Sequence, residues 1–206
     1  MSNFILTKKT ARLILLQRIQ FSGPLQKKIR KLFGRYLFTN FIAKFFVNSN
    51  TISKKYHESM VSEFHTIKKY LKKKNQLYLS IGGGLGGLEL IINKTFKDKN
   101  YYFIEKNYIS KKIIYGWDVN NNEGYNNLKL LNSFLINNGM NSSKINIFNF
   151  DTDTLPINKF DVVVSLFSLD YHYNFNFYID YLKQNSHPNT KIIFDTIRAD
   201  YFLKIF

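Results

Sequence analysis

Three glycines spaced two apart, Gly82, Gly84 and Gly86, stand between two apolar runs, with Gly83 inside the cluster. Leu77, Leu79 and Ile81 alternate before them, and Leu88, Leu90, Ile91 and Ile92 recur at helical spacing after them. Glycine lets a backbone turn tightly and lets a ligand approach it closely. A helix that follows directly would aim its first N–H groups at that ligand. Glu105 lies twenty-three positions beyond Gly82 and ends a second apolar run, Tyr101 to Ile104. That spacing is close to the ~20 expected of an acid reaching a ribose hydroxyl. Neighbouring parallel strands end side by side, so Glu105 is expected to face whatever the glycine turn holds. Asp170 and His172, two apart, could act as orienter and general base, or both could grip hydroxyl groups. They could also suggest a metal, but no third ligand stands at a persuasive spacing, and no metal is expected. The chain has no Cys, which excludes disulfides, thiolate zinc sites and Cys nucleophiles.

These residues need a scaffold that brings strand ends together. Strand patterns occur at 77–81, 100–104, 145–150, 160–166 and 191–195, with helical patterns at 88–96, 128–135 and 175–182. Strands separated by helices argue for a doubly wound, mainly parallel sheet. The expected fold is α/β and Rossmann-like, with five strands in the order 3-2-1-4-5 and a basic helical N-terminal extension. Domain boundaries are expected at 1–75 for the helical region and 76–206 for the sheet domain. Within the first, residues 4–21 and 25–45 read as helices, Asn48 to Thr51 as a loop, and Tyr56 to Lys74 as a helix ending in three lysines. Residues 111–122, with the sole Trp, Trp117, read as a polar insertion.

Net charge is +16 over 206 residues, and it is concentrated. Residues 1–74 hold 17 Lys/Arg and two acids, whereas residues 75–206 are nearly balanced at +1. An anionic partner is therefore expected to meet residues 1–50, either a membrane surface or nucleic acid. The plainer alternative is a solvated basic face on helices whose apolar face packs on the core. No apolar run is long enough to span a bilayer. The cytoplasm is the expected compartment, with peripheral membrane attachment as an extension of the charge argument. The acid-free, basic start also suits a mitochondrial presequence.

Two templates fit the glycine turn: the dinucleotide fingerprint, through Gly82, Gly84 and Gly87, and the adenosylmethionine loop, through Gly82, Gly84 and Gly86. Residues 56–198 resemble a class I S-adenosylmethionine-dependent methyltransferase. The resemblance rests on Leu79-Ser80-Ile81-Gly82-Gly83-Gly84-Leu85-Gly86, the acid ending the second strand, Asp151 followed by Leu155-Pro156, and Phe160-Asp161-Val162-Val163-Val164-Ser165. Ser168 to Tyr173, Tyr178 and Ile192 to Arg198 resemble, more narrowly, bacterial sugar O-methyltransferases. The resemblance implies S-adenosyl-L-methionine as cofactor, held by Ser80, Gly82, Gly83, Gly84, Gly86 and Ser165. It implies Glu105 on the ribose and Asp151 near the adenine, with Tyr56 and Glu63 as further candidates on a capping helix. It implies His172 and Asp170 as catalytic residues, and Tyr171 and Tyr173 beside a small-molecule or glycan hydroxyl. The family carries an acid where Ser80 stands, for which Glu63 or Glu89 could compensate. It also carries a C-terminal hairpin, for which residues 199–206 are expected to be too few; a truncated gene product, a partner chain or cover by the N-terminal helices would each answer the exposed fifth strand. The rival readings are a nucleic-acid methyltransferase, a non-catalytic cofactor-binding domain and an NAD-binding oxidoreductase.

Overall fold

Successive residues of a strand point to opposite faces of its sheet, and β1 (Leu77–Ile81) buries both of its faces. In the computed structural model, Tyr78 joins one apolar core, while Leu79 and Ile81 join another. Residues 3–23, 28, 32, 41, 47–110, 124–166, 168–169, 175–196 and 199–205 are described. The expected helix at 25–45, the insertion at 111–122 and the residues 170–173 therefore lie wholly or largely outside the described residues.

Four further strands flank β1: β2 (Asn100–Glu105), β3 (Ile145–Asn149), β4 (Phe160–Ser165) and β5 (Ser186–Phe194). All pairs are parallel, in the order β3-β2-β1-β4-β5. A parallel sheet covered on both sides reads as near-continuous apolar runs, which is why its central strands were easy to find. Ser80 pairs with Phe103 on one side and Val164 on the other, so the carboxyl ends of β1, β2 and β4 lie level.

Helices α1 (Lys8–Gln17), α2 (Ser49–Ile67), α3 (Gly87–Phe96) and α4 (Leu128–Asn137) contribute to the first core. Helices α5 (Asn176–Gln184) and α6 (Ala199–Ile205) contribute to the second. The first core runs without a break from α1 and α2 into the sheet. Ala11, Leu13, Ile14, Leu15 and Leu16 of α1 are buried in it, together with Phe4 ahead of the helix. Phe4, Tyr56 and Phe134 form an aromatic triangle with ring centroids 5.4–6.2 Å apart.

Several element boundaries differ from the sequence expectation. Helix α1 begins only at Lys8, because Thr7 and Thr10 close a reciprocal capping box. Asn48 to Thr51 is no loop: the Asn48 side chain accepts from the N–H groups of Asn50 and Thr51 and starts α2. The helix ends at Ile67 and a short 3-10 turn, ahead of the lysine run. Strand β5 begins at Ser186 rather than at 191, with a register shift against β4 that accommodates Pro188. Among the described residues no strand pairs with the outer side of β5, where Pro188, Asn189 and Lys191 are exposed.

Phe134 is the ring through which α4, α2 and the N-terminal segment meet. Phe134→Ala is expected to lower the unfolding free energy by about 3–5 kcal/mol, read as a lower urea midpoint with little change in slope.

Candidate active site at the strand ends

The turn after β1 is built from left-handed glycines. Gly82, Gly84 and Gly86 have φ of 66°, 68° and 73°, a region that side chains with a Cβ rarely adopt. Gly82 N–H donates to the Ile104 carbonyl, which ties the turn to β2. Gly86 is the N-cap of α3. The first free N–H of that helix does not point into open space: Gly87 N–H donates to the Tyr56 hydroxyl at 3.1 Å. Tyr56 thus fastens α2 to the start of α3.

Glu105 ends β2 directly beside this turn. Its Oε1 accepts from Gly84 N–H at 2.7 Å, and its Oε2 accepts from Asn126 Nδ2 at 2.9 Å. Asn126 Nδ2 also lies 2.8 Å from the Gly84 carbonyl. Burial pushes the Glu105 carboxyl up to about 8, with the two donated hydrogen bonds opposing and Glu89 adding to the rise. Gln17, the last residue of α1, donates to the Tyr125 carbonyl at 2.8 Å and sits over Gly84. A Cβ on Gly84 would come within 2.7 Å of Gln17 Oε1.

On the other side of the turn Ser80 is buried, and its hydroxyl donates to Glu89 Oε1 at 2.6 Å. Burial raises the Glu89 pKa, and Ser80 opposes that rise. Among the described residues Glu89 Oε2 has no hydrogen-bond partner. Ser80, Gly83, Glu89, Glu63 and Arg18 line a cavity of about 20 Å³, room for roughly one water. Arg18 clasps Glu63 with two contacts of 2.5 and 3.1 Å. An acid from α3 thus stands directly behind Ser80.

Ser165 is buried at the end of β4 and is held by backbone on both sides. Its hydroxyl donates to the Ile81 carbonyl at 2.7 Å and accepts from Leu169 N–H at 3.0 Å. This fixes where the chain leaves β4 and brings Ser168 against Gly82, where any Cβ would collide with the serine side chain. Asp151, beyond β3, is 44% exposed and stands 3.6 Å from Lys106 Nζ. Asp170, Tyr171, His172 and Tyr173 lie outside the described residues. The structure therefore gathers Ser80, Gly82, Gly83, Gly84, Gly86, Glu105 and Ser165 at one end of the sheet, with Asp151 at its margin. Ser168, which opens the stretch 168–173 expected to face the turn, packs on Gly82, and Gln17 and Asn126 join the turn without having been expected. Each of these two is an ordinary polar residue in a segment with no motif, so only the fold could bring it to the turn.

Among solved structures, coclaurine N-methyltransferase bound to N-methylheliamine and S-adenosylhomocysteine matches with a TM-score of 0.50 and 11% identity, over 92% of this chain and 58% of its own. This chain has the Rossmann-like methyltransferase fold. Two further matches are an S-adenosylmethionine-dependent methyltransferase from Mesorhizobium loti and the mitomycin 7-O-methyltransferase MmcR. The first gives TM-score 0.43, 16% identity, and 66% and 53% of the two chains. The second gives 0.46, 14%, and 93% and 46%. The chain spans about half the length of these structures. No family model and no curated protein matches it.

The Glu105 environment has a measurable consequence. The folded carboxyl keeps its proton up to about pH 8, whereas the unfolded one releases it near 4.5. Its contribution to stability is therefore full below pH 4.5 and is lost as pH rises to about 8. Glu105→Gln has no such titration. The difference in unfolding free energy between wild type and variant is expected to shift in the variant's favour across that window, measured by urea titration at several pH values.

Proposed function

We propose that this chain is a methyltransferase that uses S-adenosyl-L-methionine and acts on a hydroxyl of a small molecule or sugar. The observation that carries the reading is the meeting of Glu105 with Gly84 N–H at 2.7 Å, at the level carboxyl ends of β1 and β2. A doubly wound sheet binds its ligand at that end. The residues suit the cofactor. Three left-handed glycines form the turn, Glu105 stands beside it as the acid for a ribose, and Glu89 stands behind Ser80. An NAD-binding reading shares the glycines and Glu105, and the preceding helix α2, fastened to Gly87 by Tyr56, is the feature that favours adenosylmethionine.

When bound, S-adenosylmethionine supplies an electrophilic methyl group. The chain's own part is to hold the acceptor oxygen in line, to keep water away and to take the hydroxyl proton. Positioning alone can account for much of the rate. The segment after β4, anchored by the Ser165 contacts, carries the candidates for the proton step. His172 is proposed to accept the proton at Nδ1 or Nε2, Asp170 to orient the imidazole or a second hydroxyl, and Tyr171 and Tyr173 to line the acceptor site. A neutral imidazole with an ordinary pKa of ~6.5 accepts a proton near neutral pH.

Calorimetry with S-adenosylhomocysteine and NAD tests the cofactor. Binding of the first and not the second is expected, and Gly84→Val should abolish it while leaving the circular dichroism spectrum intact. Tight NAD binding with no response to S-adenosylhomocysteine would sink the assignment. For the proton step, His172→Ala is expected to lower turnover by about 10²–10⁴-fold with cofactor affinity little changed. Equal loss of binding and turnover would make His172 structural.

A further inference from the structure

The groups that should greet a ligand are already engaged with one another. Gly84 N–H is given to Glu105, the Gly84 carbonyl accepts from Asn126, and the second oxygen of Glu105 also accepts from Asn126. Gln17 closes this arrangement from above. Its Nε2 donates to the Tyr125 carbonyl at 2.8 Å and lies 3.4 Å from Asn126 Oδ1. Its Oε1 rests on the open side of Gly84, the side left bare by the absent Cβ. Beside it, the space at Ser80 and Glu89 amounts to about 20 Å³, far less than the several hundred Å³ of an ordinary ligand pocket.

Gln17 is not held there by chance. It ends a helix whose inner face, Ala11 and Leu13 to Leu16, is buried. The next residue, Arg18, grips Glu63 of α2 with both guanidinium nitrogens. The backbone at residue 17 is thereby fixed, while the side chain itself is only half-buried and has the reach to swing aside. A long, unbranched amide on a rigid mount can cover the turn or leave it without moving the helix.

We infer that Gln17, acting with Asn126, is a built-in competitor for the ligand cradle: its amide covers Gly84 until S-adenosylmethionine or its product displaces it, and so sets the affinity. This rests on the cofactor reading above. The displaced bonds are ordinary neutral ones, so the cover should weaken binding by about two- to tenfold. It acts by making the binding-competent state a fraction of the population. Asn126 has a second part. Once Gln17 has left, its amide still donates to Glu105, which holds the carboxyl for a ribose rather than leaving it to turn away.

The test uses the full chain and S-adenosylhomocysteine. Calorimetry on wild type and Gln17→Ala should show two- to tenfold tighter binding by the variant, or binding by the variant alone. Hydrogen exchange on the wild type supplies a readout that needs no variant. Saturation should protect residues 82–87 and at the same time speed exchange of the Gln17 side-chain amide, which gives up the Tyr125 carbonyl. Equal affinities, or an unchanged or slowed Gln17 side-chain amide on saturation, would overturn the inference while leaving the cofactor reading intact. No binding to either protein would remove the cofactor reading and the competitor with it.

Discussion

A carboxyl buried against a backbone amide is the contact on which the site depends. Glu105 ends a strand whose last residues are buried, and it is itself only 5% exposed. An acid in that position must either keep its proton or find donors. It finds two, Gly84 N–H and Asn126 Nδ2, and still holds its proton to about pH 8. The same contact shapes the glycine turn, draws in the segment around Tyr125, and through Asn126 reaches the end of α1. Local geometry, proton affinity and long-range packing are thus set by one side chain.

The scaffold was legible because its signals are periodic. β1, β2 and β4 are buried on both faces and read as apolar runs, and the helices between them show apolar spacing. Alternation of strands and helices argued for a doubly wound parallel sheet, whereas the strand order came from the family resemblance, since the same alternation suits other orders. Boundaries set by single side chains were less visible. Asn48 reads as loop composition until its side chain is seen to accept from two amides of α2, and Pro188 argues against a strand until the register shift beside it is known.

The site was legible in its backbone and less so in its side chains. Left-handed glycines and a strand-end acid announce themselves by type and spacing, because few residues can replace them. Gln17 and Asn126 do not. They are 109 residues apart, and neither belongs to a pattern. Ser80 shows the converse. It stands alone in the sequence, yet Glu89 stands behind it from the first turn of α3, a contact across elements that no linear motif records. The basic surplus of residues 1–74 likewise hides a second fact. The segment that carries it also supplies Phe4, the inner face of α1 and much of α2 to the main core.

The pairing of β1 with β4 bears on the order of assembly. The two strands are joined at Tyr78–Val162, Leu79–Val163 and Ser80–Val164, and the Ser165 hydroxyl meets Ile81 across a separation of 84 residues. β2 can dock on β1 over a much shorter stretch of chain. Closing the longer loop costs more entropy before any contact rewards it, and such pairings form slowly. One side of the glycine turn is therefore built early, with Gly82 bonded to Ile104. Its other side, where Ser168 packs on Gly82, waits for β4. The side of the turn that meets Glu105 is thus in place before the side that meets Ser168.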